Sequence, residues 1–563
     1  MSDLILSYSA TDIANFEICK CHIINKIRER LKGTKLKKIN PSKTVLEYQR
    51  QGEYIEASFL AKLQDHEVIQ IKGGNLKERI KNTSEAILEK KEYIYQACLC
   101  SKSLIGYPDL LVKANDGSYE VMDIKRSKEP KKSHVTQIHT YNYLLSNINN
   151  FPINFHIING PTHIHNKFKV NESYDNFIEL KDDFLKYVAK IENLSEPNLE
   201  KLLFEECIYN QSKLPFCETI PHQLDLINVV GLNKKQKKIL KPLVKDIQGL
   251  SQFDIQKLKG ISKPVLKKLV SQSELQFKKI QDKKINYKFL PFIEHKGFFK
   301  LPKQNQNDLF FDIEGDPTVD GGHEYLFGII NNNLDNFISI WSEEYSMEQK
   351  AFNNVMDCFK KHILKYPESH IYHYNHYEVT QLKRMALKYD DMEVLDFLLK
   401  EKKFIDLYPI VRESLITSEK GLSIKDLEIF YMKKRDTEVI SGADSVDQFL
   451  EWKETKDKAI LKKIEDYNQD DCKSTKLLLD WLNEIKPKKI GYRKTSELGP
   501  FSRDSQEEYK KTKKNISSIK SDGLISETVK ELVSNLLEYH KRENKSQYWL
   551  FFDRREKDYQ ELI

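Results

Sequence analysis

A chain of 563 residues, 39% hydrophobic and 11% aromatic, has apolar mass for several cores at roughly 150 residues per domain, and its 31% charged residues argue against a fibrous or membrane-embedded class. Lys plus Arg exceed Asp plus Glu by 91 to 84, a net charge of +7 that is compatible with a polyanionic partner but is equally the mark of a Lys-rich genome. Met1-Ser2-Asp3-Leu4 lacks a leader pattern, no apolar run approaches the roughly 20 residues of a bilayer span, and eight cysteines in so long a chain suit reduced thiols or metal ligation, so a cytoplasmic protein without a membrane partner is expected.

Residues 1–220 alternate helical and strand-like patterns and predict a mixed α/β domain. Within them Ile105 to Val112 reads as a strand, Asn115-Asp116-Gly117 as a hairpin turn, and Tyr119 to Lys125 as the returning strand. Positions 109 and 123 are symmetric about the turn, so Asp109 and Asp123 are expected to meet across the ladder. Asp123 and Lys125, two apart on a strand, share a face. Two carboxylates and an ammonium can hold a hard divalent cation, activate water and steady developing phosphorane charge. Gln137 and Tyr141 follow, four apart in a helical stretch and so projecting together. An isolated Asp-x-Lys pair is more often solvated surface.

The combination Gly106-x-x-Asp109, Asp123-x-Lys125 and Gln137-x-x-x-Tyr141 resembles the PD-(D/E)xK pattern of RecB-type nucleases, over roughly residues 1–220. The resemblance implies a restriction-endonuclease-like fold, Mg²⁺ or Mn²⁺ at the site, and catalytic roles for Asp109, Asp123, Lys125, Gln137 and Tyr141, with Asp109 and Asp123 as metal ligands. That group carries a metal-ligating His in a Gly-x-x-His-Glu element; here Gly52-Glu53-Tyr54-Ile55-Glu56 has Ile55 at that place, leaving Glu56 as an oxygen ligand. Its members also often hold a [4Fe-4S] cluster. Cys19 matches the first cluster ligand, and Cys207 and Cys217 are the candidates at the far end, with Cys21 needed for a fourth. Buried free thiols are the favoured alternative.

Residues 221–290 turn helical. Val230-Gly231-Leu232 and Lys259-Gly260-Ile261 each lead into a Lys-rich amphipathic helix and resemble helix-hairpin-helix turns, where Gly231 and Gly260 would set backbone N–H groups against a phosphate. A plain helical linker is the equal alternative.

Residues 291–490 predict a second α/β unit opening on the strand Leu309 to Glu314. Asp312 and Glu314 point to one face, where two carboxylates on an apolar strand need cations. Glu378 follows His373-Tyr374-Asn375-His376-Tyr377, and Tyr467 and Asp471 lie four apart on one helical face. Four carboxylates and a tyrosine suit two-metal phosphodiester cleavage, with Asp312, Glu314, Glu378 and Asp471 holding cations about 4 Å apart and Tyr467 orienting the water. This order resembles the tyrosine subtype of DEDD 3'-5' exonucleases on the RNase H-like (DnaQ-type) fold. The third acid of that family is Asp, so Glu378 departs from it, and Asp406 competes for the position.

Residues 491–563 form a charged helical tail. The whole order resembles the non-helicase part of longer RecB-family nuclease-helicases; no Gly-x-x-x-x-Gly-Lys-Ser/Thr loop occurs, so no ATPase motor is expected. The implied activity is metal-dependent hydrolysis of DNA, single-stranded DNA favoured, in repair, recombination or defence, beside a separate helicase. A nucleic-acid-binding scaffold with a decayed first site and an RNA-processing exonuclease are the rivals.

Overall fold

The computed structural model describes residues 8–32, 41–101, 103–206, 224–433, 435, 439, 441–494, 511–512, 514–516, 518, 526–537 and 539–555. Two compact units divide it: residues 1–287 with 417–421, and residues 288–416 with 422–563. Among the described residues no helix is long and apolar enough to cross a membrane.

The first unit is built on a six-stranded sheet: β1 (Val68–Gln70), β2 (Tyr93–Tyr95), β3 (Leu110–Lys113), β4 (Tyr119–Lys125), β5 (Asn154–Asn159) and β6 (Ile164–Lys169), in that spatial order. β1 and β2 run parallel, as do β4 and β5, while the other neighbours are antiparallel. The β3–β4 hairpin turns at Gly117, whose φ of +83° is the left-handed conformation that such a turn needs. Alternation on β4 decides what each face buries. Tyr119 and Val121 pack with Ile138, Tyr141, Leu144 and Leu145 of α2 (Lys132–Leu145), whereas Met122 and Ile124 pack with Ile55 of α1 (Lys43–Ala61).

The strand expected over Ile105 to Val112 is two strands. Leu104–Gly106 belongs to a separate three-stranded sheet with Tyr8–Ser9 and Leu99–Ser101, and β3 begins only at Leu110. Pro108 explains the break, since it offers no N–H to a ladder and restricts the residue before it. The interruption frees Tyr107-Pro108-Asp109 from either sheet.

Residues 224–287 of the same unit form a helical subregion that includes Lys234–Leu240, Ile247–Ser251 and α3 (Lys263–Asp282), closed around Leu240, Ile247, Leu250, Ile261, Leu266 and Leu269. Gly231 and Gly260 precede two of these helices with φ of +82° and +97°.

The second unit has a five-stranded sheet of order β9-β8-β7-β10-β11, where β7 is Leu309–Asp316, β8 His323–Asn331, β9 Phe337–Trp341, β10 Ile371–His373 and β11 Phe404–Asp406. β7, β8 and β9 form an antiparallel meander, and β10 and β11 are added parallel to β7. Leu309, Phe311 and Ile313 face one way, into a core with α4 (Glu348–Lys365) and α5 (Tyr377–Lys388). Asp312 and Glu314 therefore face the other way, toward α6 (Lys458–Ile485). Trp549, from the helix Tyr539–Arg555, is buried in the α4–α5 core and donates Nε1–H to Asp396 Oδ1 at 3.3 Å.

Candidate active sites

In the second unit, Asp312, Glu314 and Asp471 each offer a carboxylate oxygen, and these atoms lie within 4.8 Å of one another. Two come from one face of β7 and one from α6, so local alternation supplies the pair and helix docking supplies the third. Asn468, three residues before Asp471 and thus on the same helical face, donates Nδ2–H to Asp312 Oδ2 at 2.7 Å. Room for that amide comes from Gly328, the β8 partner of Asp312: a Cβ there would stand 1.7 Å from Asn468 Oδ1.

Burial, then repulsion from Asp471, Glu314 and Glu378, pushes the Asp312 carboxyl well above the usual range. Burial and Asp471 push Glu314 up to about 8. Three converging carboxylates, Asp312 and Glu314 among them destabilised as anions, form a donor set for a hard divalent cation, which is the chemistry such oxygens select.

Tyr467 lies one turn before Asp471, and its hydroxyl accepts from Lys425 Nζ at 2.6 Å. Its phenol is raised by burial and by Asp471, Glu314 and Asp312, so it remains a neutral donor. Arg435 Nη2 forms an ion pair with Asp471 Oδ1 at 2.6 Å, and Arg435 Nε donates to Glu428 Oε1 at 2.9 Å. Lys425, Arg435 and Asn468 escaped sequence reasoning. The Lys433-Lys434-Arg435 run reads as solvated charge, and only Asn468, adjoining Tyr467 on a buried stripe, left a usable signal.

Glu378 stands in the first turn of α5, near enough to Asp312 to raise its carboxyl, but it is not one of the converging trio. It pairs with His373, whose Nδ1 lies 3.3 Å from Oε2, and burial sets the Glu378 carboxyl above its ordinary value against the lowering effect of this pairing. Asp406 caps a helix instead: its Oδ1 accepts from Tyr408 N and Asn375 N, both at 2.8 Å.

In the first unit, Asp109 Oδ2 accepts from Ile124 N at 2.7 Å, and Asp109 N donates to Asp123 Oδ1 at 3.4 Å, so the hairpin joins these residues as its symmetry requires. Lys125 Nζ lies 2.5 Å from Asp123 Oδ2, and Asp123 is only 1% exposed. Burial and Asp123 raise the Asp109 carboxyl, while Asp123, Asp109 and Glu56 overcome burial to raise the Lys125 ammonium. Tyr141 is close enough for both aspartates to raise its phenol beyond what burial does. Its ring packs on Gly106, where a Cβ would meet Cδ1 at 2.6 Å, which explains the glycine of that motif. Gln137 points elsewhere, with Nε2 3.5 Å from Thr11 Oγ1. His134, three residues before Gln137 on the same helical face, was missed; burial and then Lys125 hold its imidazole down to about 4.

Glu56 does not converge with Asp109 and Asp123 into a three-ligand group; its Oε1 accepts from Tyr95 Oη at 2.8 Å. Ile55 faces away, buried with Leu110, Met122 and Ile124. Cys19 and Cys21 are buried in the core of this unit. Cys207 and Cys217 lie outside the described residues, so the proposed cluster set rests on no described geometry.

A family model described as the RNase H superfamily matches residues 309–483. That span runs from the first residue of β7 into the last turn of α6 and contains every carboxylate of the second site. The chain thus carries a segment similar to RNase H superfamily proteins within a mixed α/β, multidomain architecture. No curated protein matches the sequence.

Proposed function

We propose that the chain is a metal-dependent nuclease hydrolysing phosphodiester bonds, with its principal centre in residues 309–483. The observation that carries this reading is the convergence of Asp312, Glu314 and Asp471 beneath Tyr467. Mg²⁺ or Mn²⁺ bound there would supply Lewis-acid charge to the scissile phosphate and a more acidic water. Tyr467, kept protonated, orients the attacking water through its hydroxyl; Asn468 fixes the rotamer of Asp312; Lys425 steadies the tyrosine. The order Asp-x-Glu, Glu378, Tyr-x-x-x-Asp supports the DEDD tyrosine subtype and 3'-5' exonuclease polarity, with single-stranded DNA favoured and a helicase acting from a separate chain.

The same reading takes residues 1–220 as a RecB-like nuclease domain, 221–290 as helix-hairpin-helix-like, 291–490 as the exonuclease-like domain and 491–563 as a tail. Exposed Lys235, Lys238 and Lys267 behind Gly231 and Gly260 support phosphate contacts by the hairpins. A second reading, in which the first unit is a binding scaffold with a decayed site, is favoured by apolar Ile55 and the absence of a third converging ligand among the described residues. Degradation of end-labelled DNA and RNA in Mg²⁺ or Mn²⁺ tests both. Asp312→Ala should remove most hydrolysis and Asp123→Ala a smaller, separate share. Complete loss in each single variant would point to one composite site and overturn the two-centre reading; no loss in Asp123→Ala would leave the first unit as a scaffold.

A further inference from the structure

An open pocket of about 310 Å³ lies directly beside Asp109, lined by Glu56, Arg79, Gln96, Tyr107, Pro108 and Asp109. Tyr107 is 43% exposed, and the central carbon of the Arg79 guanidinium is 5.0 Å from its ring centroid. Arg79 Nη2 donates to Gln96 O at 3.2 Å, while its Nε has no hydrogen-bond partner among the described residues.

Gln96 and Glu56, which line the same pocket, are polar and held in place. Gln96 has φ of +52°, a left-handed conformation that a non-glycine residue keeps only when its surroundings enforce it. Its backbone N–H donates to Asp109 O at 2.8 Å, its Nε2 donates to Tyr95 Oη at 3.0 Å, and Tyr95 Oη donates to Glu56 Oε1 at 2.8 Å. An exposed aromatic ring in contact with a cation, in one pocket with a fixed amide and a carboxylate, is a recognition arrangement for a flat heterocycle with hydrogen-bonding edges.

We propose that this pocket is a nucleobase subsite, taking one unstacked base of a single-stranded nucleic acid adjacent to the phosphodiester at Asp109, Asp123 and Lys125. Tyr107 supplies the stacking face, and Gln96 and Glu56 meet the base edge. A duplex cannot present such a base without flipping it, so the pocket selects single strands or frayed ends. The placement of the phosphodiester rests on the nuclease reading of the first unit, whereas base capture does not.

The test uses the full chain in EDTA, with single-stranded oligonucleotides carrying 2-aminopurine at successive positions. Stacking on Tyr107 is expected to quench one position, with Tyr107→Phe keeping the quench and Tyr107→Ala abolishing it and weakening binding of that strand by about tenfold. Gln96→Gly, which relieves the backbone while deleting the amide, should fold and keep the quench but reduce discrimination among bases. Equal quenching in wild-type and Tyr107→Ala protein, both shown folded by circular dichroism, would overturn the subsite. Hydrolysis in Mn²⁺ by the Asp312→Ala and Asp312→Ala/Asp123→Ala proteins separates the two ideas: a Tyr107-dependent quench without any Asp123-dependent hydrolysis would leave the base subsite standing and sink the nuclease reading of this unit.

Discussion

Arg435 Nη2 lies 2.6 Å from Asp471 Oδ1, so a guanidinium already sits on one of the three carboxylates that converge in the second unit. Any divalent ion bound to that oxygen meets a neighbouring positive charge. Arg435→Gln is therefore expected to tighten Mn²⁺ binding on the order of tenfold, the equivalent of about 1.4 kcal/mol of relieved repulsion. Calorimetric titration of the metal into both proteins decides the sign. Weaker binding in the variant would mean that Arg435 acts by holding Asp471 in position.

Burial and Asp471 raise the Glu314 carboxyl to about 8, so at neutral pH without metal it is mainly protonated. An acid whose folded value lies above its unfolded one costs the folded state stability as pH rises from about 4.5 toward 8, and a bound cation reverses that cost by stabilising the anion. Metal binding at pH 7 should release close to one proton from this group, and affinity should climb until about pH 8. Titrations in buffers of different ionisation heat measure the release, and Glu314→Gln should remove it.

Gly328→Ala places a methyl where Asn468 Oδ1 stands, at 1.7 Å. The amide must move, and its 2.7 Å hydrogen bond to Asp312 goes with it. A loss of about 1–3 kcal/mol of stability is expected from overpacking, together with a fall in hydrolysis larger than the stability change explains. Thermal midpoints and activity on the same preparations test the pair of effects; wild-type activity in a folded variant would show that Asn468 has no bearing on Asp312.

What was legible followed from short-range periodicity. Alternation on Leu309 to Glu314 put Asp312 and Glu314 on one face, the four-residue spacing joined Tyr467 to Asp471, and the symmetric hairpin joined Asp109 to Asp123. Each needs only the geometry of one element or one turn. Arg435 and Lys425 were not legible, because their meaning arises only where a loop residue and a short helix, Ile424–Leu427, meet α6, and lysines and arginines ordinarily face water. Ile105 to Val112 was misread as one strand because its apolar pattern is continuous, whereas Pro108 interrupts the ladder. Glu378 is legible only through the order of acids that the chain shares with the DEDD pattern, and His373 Nδ1 stands 3.3 Å from its Oε2.

His139 is 1% exposed among Phe155, Tyr174 and Phe177, with Nε2 2.7 Å from Ser173 Oγ, and burial holds its imidazole down to about 4. The folded value lies below the unfolded one, so its contribution is complete above about pH 6.5 and is lost as pH falls toward 4, by about 3 kcal/mol in all. Urea midpoints of the first unit at pH 7 and pH 5, followed by pulsed hydrogen exchange of the 132–145 segment, should differ in the native chain and converge in His139→Leu. An unchanged difference would assign the acid sensitivity to other groups.

Trp549 completes a core whose other members lie between Leu309 and Leu398. On the ribosome that core emerges well before its last indole does, and residues between 486 and 548 must be translated while an apolar socket near Asp396 waits unfilled. The RNase H-like segment thus has a period in its biogenesis when its sheet and helices are available but its packing is unfinished, and that interval is when misassembly with another nascent chain or capture by a chaperone is most favourable. Shortening or lengthening the intervening stretch would change the duration of this vulnerability without altering a single residue of either carboxylate centre.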